Sequence, residues 1–222
     1  MIICVSGTHG TGKSLFLFEL QRHFGKQCRL ITELYREIIA RTPVSRFSDA
    51  ALQDLATFEI YVRHEMIRDA LSTHEIVLVD RHPIDALIYT KFFDADTTKV
   101  ETILREQMSL WENEDVIIIG FLFGFSYLIP SRLLKPLYDD PVRKATLRLT
   151  YTRSYEDAII EFERLYLQTI NEWSIPMKIF KLSDYLTRPL VKTYEARNEA
   201  ALDYVLSQIN NKRKCADVCR ST

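Results

Sequence analysis

The sequence predicts a three-layer α/β fold, a five-stranded parallel sheet with helices on both faces. Three observations predict it. Five apolar runs of strand length recur along the chain, at 2–6, 29–32, 75–80, 115–121 and 177–182. They are rich in Ile and Val and show little alternation, the pattern of parallel strands covered on both faces. Helical patterns separate the runs, and such alternation means a doubly wound sheet. The first run leads into its helix through a glycine-bearing turn, GTHGTGKS at 7–14.

The helical elements follow in order. A helix over 13–24 ends at Gly25, a residue suited to the C′ position. A second, over 49–72, follows Ser48 as its N-cap. A third covers about 97–112. The fourth, 155–173, follows Ser154 with Asp157 three places on, a variant of the capping box. The last covers 192–209. No repeat or Pro/Gly/Ser linker interrupts the chain, so one domain is expected over 1–211. The basic stretch 212–222 reads as a frayed, solvated tail.

Composition narrows the function. The 222 residues are 47% hydrophobic and 27% charged, with net charge −1. Nothing global attracts nucleic acid or an anionic membrane. MIICVSG lacks the basic n-region of a signal peptide. The longest uncharged run, 116–130, has fifteen residues, short of the roughly 20 that span a bilayer. Four cysteines are too few for a disulfide framework, and a reducing cytoplasmic location is expected. Cys4 reads as a small hydrophobe, and Cys215 with Cys219 makes a poor metal site without a nearby histidine.

The opening turn fits G-x-x-x-x-G-K-[ST] at Gly7, Gly12, Lys13 and Ser14, between a strand and a helix. Three of the six glycines fall in it: Gly7, Gly10 and Gly12. They let backbone N–H groups close on a phosphate, and the helix start adds its dipole. The expected ATP-binding residues are Gly7, Thr8, His9, Gly10, Thr11, Gly12, Lys13, Ser14 and Leu15. Lys13 would bridge the β- and γ-phosphates, and Ser14 would ligate Mg²⁺. ATP and Mg²⁺ are therefore the expected cofactors. His9 either touches phosphate or faces solvent.

Two carboxylates close apolar runs, where ligands bind in sheets of this type: Glu33 and Asp80. Asp80 suits a second Mg²⁺ anchor, and Arg81 beside it can neutralise phosphate charge. Glu33 is placed to accept a proton from an attacking hydroxyl, or alternatively to satisfy the dipole of a following helix, ELYREIIA.

DRHPIDALIY at 80–89 closely resembles a segment of the herpesvirus-type thymidine kinases, and GTHGTGKS resembles their phosphate loop down to its histidine. ITELYREIIA at 31–40 is similar to the strand-plus-Glu segment of small P-loop kinases, ribosylnicotinamide kinases among them. The resemblance covers about residues 1–90 and implies a P-loop NTPase fold with a helical lid. It also implies Glu33 as general base, Asp80 holding Mg²⁺ through water, and Arg81 between donor and acceptor.

A kinase of this class needs positive charge on the transferring phosphoryl. Residues 130–154, in the lid's place, carry Arg132, Lys135, Arg143, Lys144, Arg148 and Arg153. Arg143 and Arg148 are the favoured lid arginines. Arg188, after the last strand, is expected near the adenine. In the second helix Glu59 and Arg63 break an apolar face formed by Leu52, Leu55, Val62, Met66 and Ala70. They read either as acceptor-binding residues, with Gln53 or Gln107 as amides that read a base, or as a partly solvated ion pair. Phe123, Phe125 and Tyr127 read as core before they read as a stacking platform.

The function expected is transfer of the ATP γ-phosphoryl to a small nucleoside or nucleotide, with a second copy of the chain as candidate partner. The alternatives are a nucleotide-dependent switch with slow hydrolysis, and a kinase acting on a modified base or an end in DNA.

Overall fold

The structure is a computed structural model and describes residues 1–33, 48–112, 115–124, 155–187 and 190–220. Among these, five strands and six helices alternate: β1 Ile2–Gly7, α1 Lys13–Phe24, β2 Cys28–Ile31, α2 Asp49–Thr73, β3 Ile76–Asp80, α3 Ile84–Phe92, α4 Thr98–Gln107, β4 Val116–Leu122, α5 Tyr155–Glu172, β5 Met177–Lys181 and α6 Leu190–Arg220. The sheet order is β2-β3-β1-β4-β5, and every pairing is parallel. The expected fold class holds.

β1 is the central strand, and all six of its residues are buried. Its side chains alternate between two cores. Ile3 and Val5 join Phe16, Leu17 and Leu20 of α1 and Ala201, Val205 and Ile209 of α6. Ile2 and Cys4 join the larger core beneath α2, α3, α4 and α5. Burial on both faces explains why the strands read as unbroken apolar runs. The register sets Val5 beside Asp80 and Gly7 beside Phe121, so the ends of β1, β3 and β4 meet at one edge.

Ser48 caps α2 as expected, its side chain accepting from the Ala51 N–H at 3.2 Å. The expected cap at Ser154 lies outside the described residues. Three helices depart from the sequence reading. The third predicted helix ends sooner, α4 stopping at Gln107 before a 3₁₀ turn over Met108–Leu110. α3 was not expected at all. Eight of its nine residues are buried, so it has no polar stripe from which a helical period could be read. α6 continues past 209 to Arg220, where a frayed tail was expected. Its buried stripe falls every fourth residue: Thr193, Arg197, Ala201, Val205 and Ile209. Cys4 and Cys28 are buried free thiols. Among the described residues no helix is long and apolar enough to cross a membrane.

Candidate active site

The glycine turn leaves β1 in a left-handed conformation that its sequence permits. Gly7 has φ 117°, and a Cβ there would sit 2.1 Å from the Phe121 carbonyl oxygen, so only glycine fits. The Thr8 N–H then donates to that same carbonyl at 3.0 Å. Gly12, at φ 81°, turns the chain into α1. The loop is braced by its own side chains. Lys13 Nζ and Thr11 Oγ1 both donate to the Thr8 carbonyl, at 2.6 and 2.8 Å. Burial, with Arg81 nearby, lowers the Lys13 ammonium to about 7.

Ser14 Oγ donates to Asp80 Oδ2 at 2.9 Å. Asp80 Oδ1 is buried and has no partner. Burial and the neighbouring Glu33 push the Asp80 carboxyl up. A hard cation would relieve both conditions, so these residues fit Mg²⁺. Among the described residues there is no cluster of three His, Cys, Asp or Glu that could hold a metal.

Arg81 joins the parts. Its backbone is left-handed, φ 81°, which is uncommon for a side chain of this size, and its N–H donates to Val5 O at 3.0 Å. Its guanidinium pairs with Glu33 Oε1 at 2.5 Å. It also donates to Gly7 O and to Asp85 Oδ2, each at 3.2 Å. A third side lies 3.4 Å from His9 Nδ1. Burial pushes the Glu33 carboxyl up, but Arg81 and Lys13 outweigh it and hold Glu33 below its usual range. Glu33 is therefore an ionised carboxylate at the mouth of the site.

His9 neither faces solvent nor stands free at the loop's crest. It is half-buried, and its Nε2 meets the Tyr89 hydroxyl. Behind Arg81, Asp85 accepts from Ser6 Oγ, which in turn accepts from the Tyr166 hydroxyl at 2.8 Å.

Glu59 and Arg63 form the expected pair, but it is fully buried rather than partly solvated. Arg63 is 1% exposed and donates to the backbone carbonyls of Asp80 and Arg81. The buried face of α2 runs through Leu52, Ala56, Ile60 and Ile67, while Met66 is exposed. The pair therefore lies beneath the Asp80–Arg81 peptide. Gln53 bonds to Asp96, at the turn before α4. Phe123 is core, as expected, whereas Phe125 and Tyr127 lie outside the described residues. So do Arg143, Arg148 and Arg188.

Three residues that sequence reasoning missed hold the loop from the second half of the chain. Glu163 on α5 is buried, accepting from Thr8 Oγ1 at 2.8 Å and from the Phe123 and Gly124 N–H groups at 2.6 and 3.1 Å. Arg197 on α6 donates to the Thr11 carbonyl, its guanidinium stacked 3.8 Å from the Phe121 ring centroid. Tyr194 Oη donates to Gly10 O at 3.2 Å. Arg197 was findable: a cation in line with the apolar stripe Ala201, Val205 and Ile209 is a signal like the charged pair that broke the apolar face of α2. Glu163 carried none, because its partners lie 155 residues away at Thr8 and 40 away at Phe123.

A parallel sheet with this order, and a glycine loop joining its central strand to the first helix, make a kinase-like P-loop fold. Residues 2–111 match the profile of a family described as an AAA domain. The chain is similar to deoxyadenosine kinase from M. mycoides with bound dATP, at TM-score 0.58 and 18% identity over 92% of this chain and 99% of that one. The same enzyme with dCMP and a flexible dCDP gives TM-score 0.59 and 17% identity, over 93% and 100%. Thymidylate kinase from Ehrlichia chaffeensis gives 0.58 and 12%, over 92% and 98%. No curated protein matches at a significant level.

Proposed function

We propose that the chain is a cytoplasmic phosphotransferase that moves the γ-phosphoryl of ATP to a small nucleoside or nucleotide. The observation that carries this reading is Arg81, which bridges the phosphate loop at Gly7 O and the ionised carboxylate of Glu33. A transferring phosphoryl group must pass between a phosphate cradle and an acceptor hydroxyl, and Arg81 occupies that boundary. The likeness to a deoxyadenosine kinase and a thymidylate kinase supports the acceptor class.

In this reading Lys13 and the loop N–H groups hold the β- and γ-phosphates. Ser14 and Asp80 would hold Mg²⁺, which would supply neutralisation of phosphate charge. Glu33 accepts the proton of the acceptor hydroxyl, and its lowered pKa keeps it ionised throughout the neutral range. Arg81 fixes the orientation of Glu33 and balances developing charge. Arg143 and Arg148 supply the lid's charge, Arg188 stands by the adenine, and Gln53 is a candidate reader of the acceptor. A second copy of the chain is its candidate partner.

The test is transfer from γ-labelled ATP with Mg²⁺ into a panel of nucleosides, nucleoside monophosphates, ribosylnicotinamide and short DNA, with Lys13→Ala as the blank. Label in one small acceptor, lost in the variant, is the expected result. Label found only as free phosphate would point to a nucleotide-dependent switch, and label in DNA to the larger acceptor.

A further inference from the structure

The strand end that carries Asp80 and Arg81 leaves the sheet through a left-handed residue. Arg81 is one of three non-glycine residues among those described with positive φ, and it is 2% exposed. A left-handed arginine in the interior is held there only if its surroundings over-determine it. The turn carries two carbonyl oxygens, of Asp80 and of Arg81, at the end of β3.

One side chain satisfies both. Arg63 Nη1 donates to the Asp80 carbonyl, and to the Arg81 carbonyl at 3.1 Å. Its Nη2 donates to Glu59, one helical turn back on α2. Arg63 is fixed on both sides, by the planar fork of its guanidinium and by the packed helix that carries it. Replacing such a pair with apolar side chains of like volume is often neutral for stability. A structural need for the charges alone is therefore weak.

We infer that Arg63, oriented by Glu59, is a positioning residue that fixes the left-handed Asp80–Arg81 peptide, and through it the metal-facing Asp80 carboxylate and the Arg81 guanidinium. The pair does not read the acceptor. The inference rests on the reading of Asp80 as the Mg²⁺ anchor, and it acts on the free end of that carboxylate, Oδ1.

The experiment compares the full chain with E59M/R63M and with R63K. The double variant removes the charges together, so that neither is left buried alone. R63K keeps the charge but loses the planar fork, whose one nitrogen holds both carbonyls while the other holds Glu59. ATP affinity is measured by calorimetry with and without Mg²⁺, in the absence of acceptor, and thermal unfolding is recorded alongside. The expected result is unchanged ATP affinity without Mg²⁺ and loss of roughly ten- to a hundredfold of the Mg²⁺-dependent part, the span of hydrogen bonds from a charged donor. Phosphoryl transfer should fall in kcat while the acceptor KM holds.

Folded variants with the parent's Mg²⁺ dependence would overturn the inference. So would a rise in acceptor KM alone, which would return the pair to substrate recognition. If the double variant does not fold, R63K gives the same readings. Failure of the kinase reading itself would appear separately, as absent transfer in the parent chain with its Mg²⁺-dependent ATP binding intact.

Discussion

At the scale of single residues, the site is built from groups whose charges depend on what binds beside them. Lys13 is the clearest case. Its ammonium is buried, it donates to Thr8 O, and its pKa lies at about 7 against an ordinary 10.5. A triphosphate laid against it favours the ammonium and raises that value again. The folded, ligand-free chain therefore holds fewer protons at Lys13 than the unfolded chain between about pH 7 and 10.5. Stability from this group rises with pH across that window, and nucleotide affinity falls. ATP binding at pH 8 should take up close to one proton, read by calorimetry in buffers of different ionisation heat. Lys13→Met should abolish the uptake, and equal heats in all buffers for the parent chain would refute the account. The sequence announced Lys13, because the loop pattern fixes its place relative to the phosphates. It did not announce Asp85 or Tyr89, which bind Arg81 and His9 only after β1, β3 and α3 have packed.

Among the elements, those with a surface pattern were legible and those without one were not. β1 to β5 and α1 could be read from apolar runs and a glycine loop, and α2 from its cap. α3 was invisible because it is buried all round. α6 was read as a closing helix, with no hint that it is part of the phosphate loop's support. Tyr194 and Arg197 lie one turn apart and donate to consecutive loop carbonyls, Gly10 and Thr11. A Cβ on Gly12 would lie 3.3 Å from both side chains. This contact sets the shape of the cradle from below. Tyr194→Phe removes one hydrogen bond and should weaken ATP binding roughly two- to tenfold. R197K keeps the charge but loses the stacked fork, and should weaken it at least as much. Dissociation constants measured beside melting temperatures decide the matter. Lower melting points with unchanged ATP affinity would reduce α6 to a structural support.

Across the whole molecule, the phosphate loop is held from both halves of the chain. From the first half, Arg81 and Tyr89 bind Gly7 and His9. From the second, a carboxylate on α5 takes Thr8, and a guanidinium on α6 takes Thr11. The profile match at 2–111 covers only the first set, while the structural likeness to the two kinases covers nearly the whole chain. The second set reaches the loop through contacts more than 150 residues distant in sequence, so no local pattern could report it. A loop bound in this way ties the stability of both halves to its occupancy. ATP at a hundred times its dissociation constant adds about 2.7 kcal/mol to the folded state. For a chain of this size that is a rise in melting temperature of roughly 5–10 °C. If the halves are joined through the loop, scanning calorimetry should show one transition, moved as a whole by ATP and unmoved in Lys13→Ala. Glu163→Gln, which weakens the hold of α5 on Thr8, should lower the melting point and reduce the shift. Two transitions, with only the earlier one moved by ATP, would mean that the loop belongs to the first half alone and that its contacts with α5 and α6 are incidental.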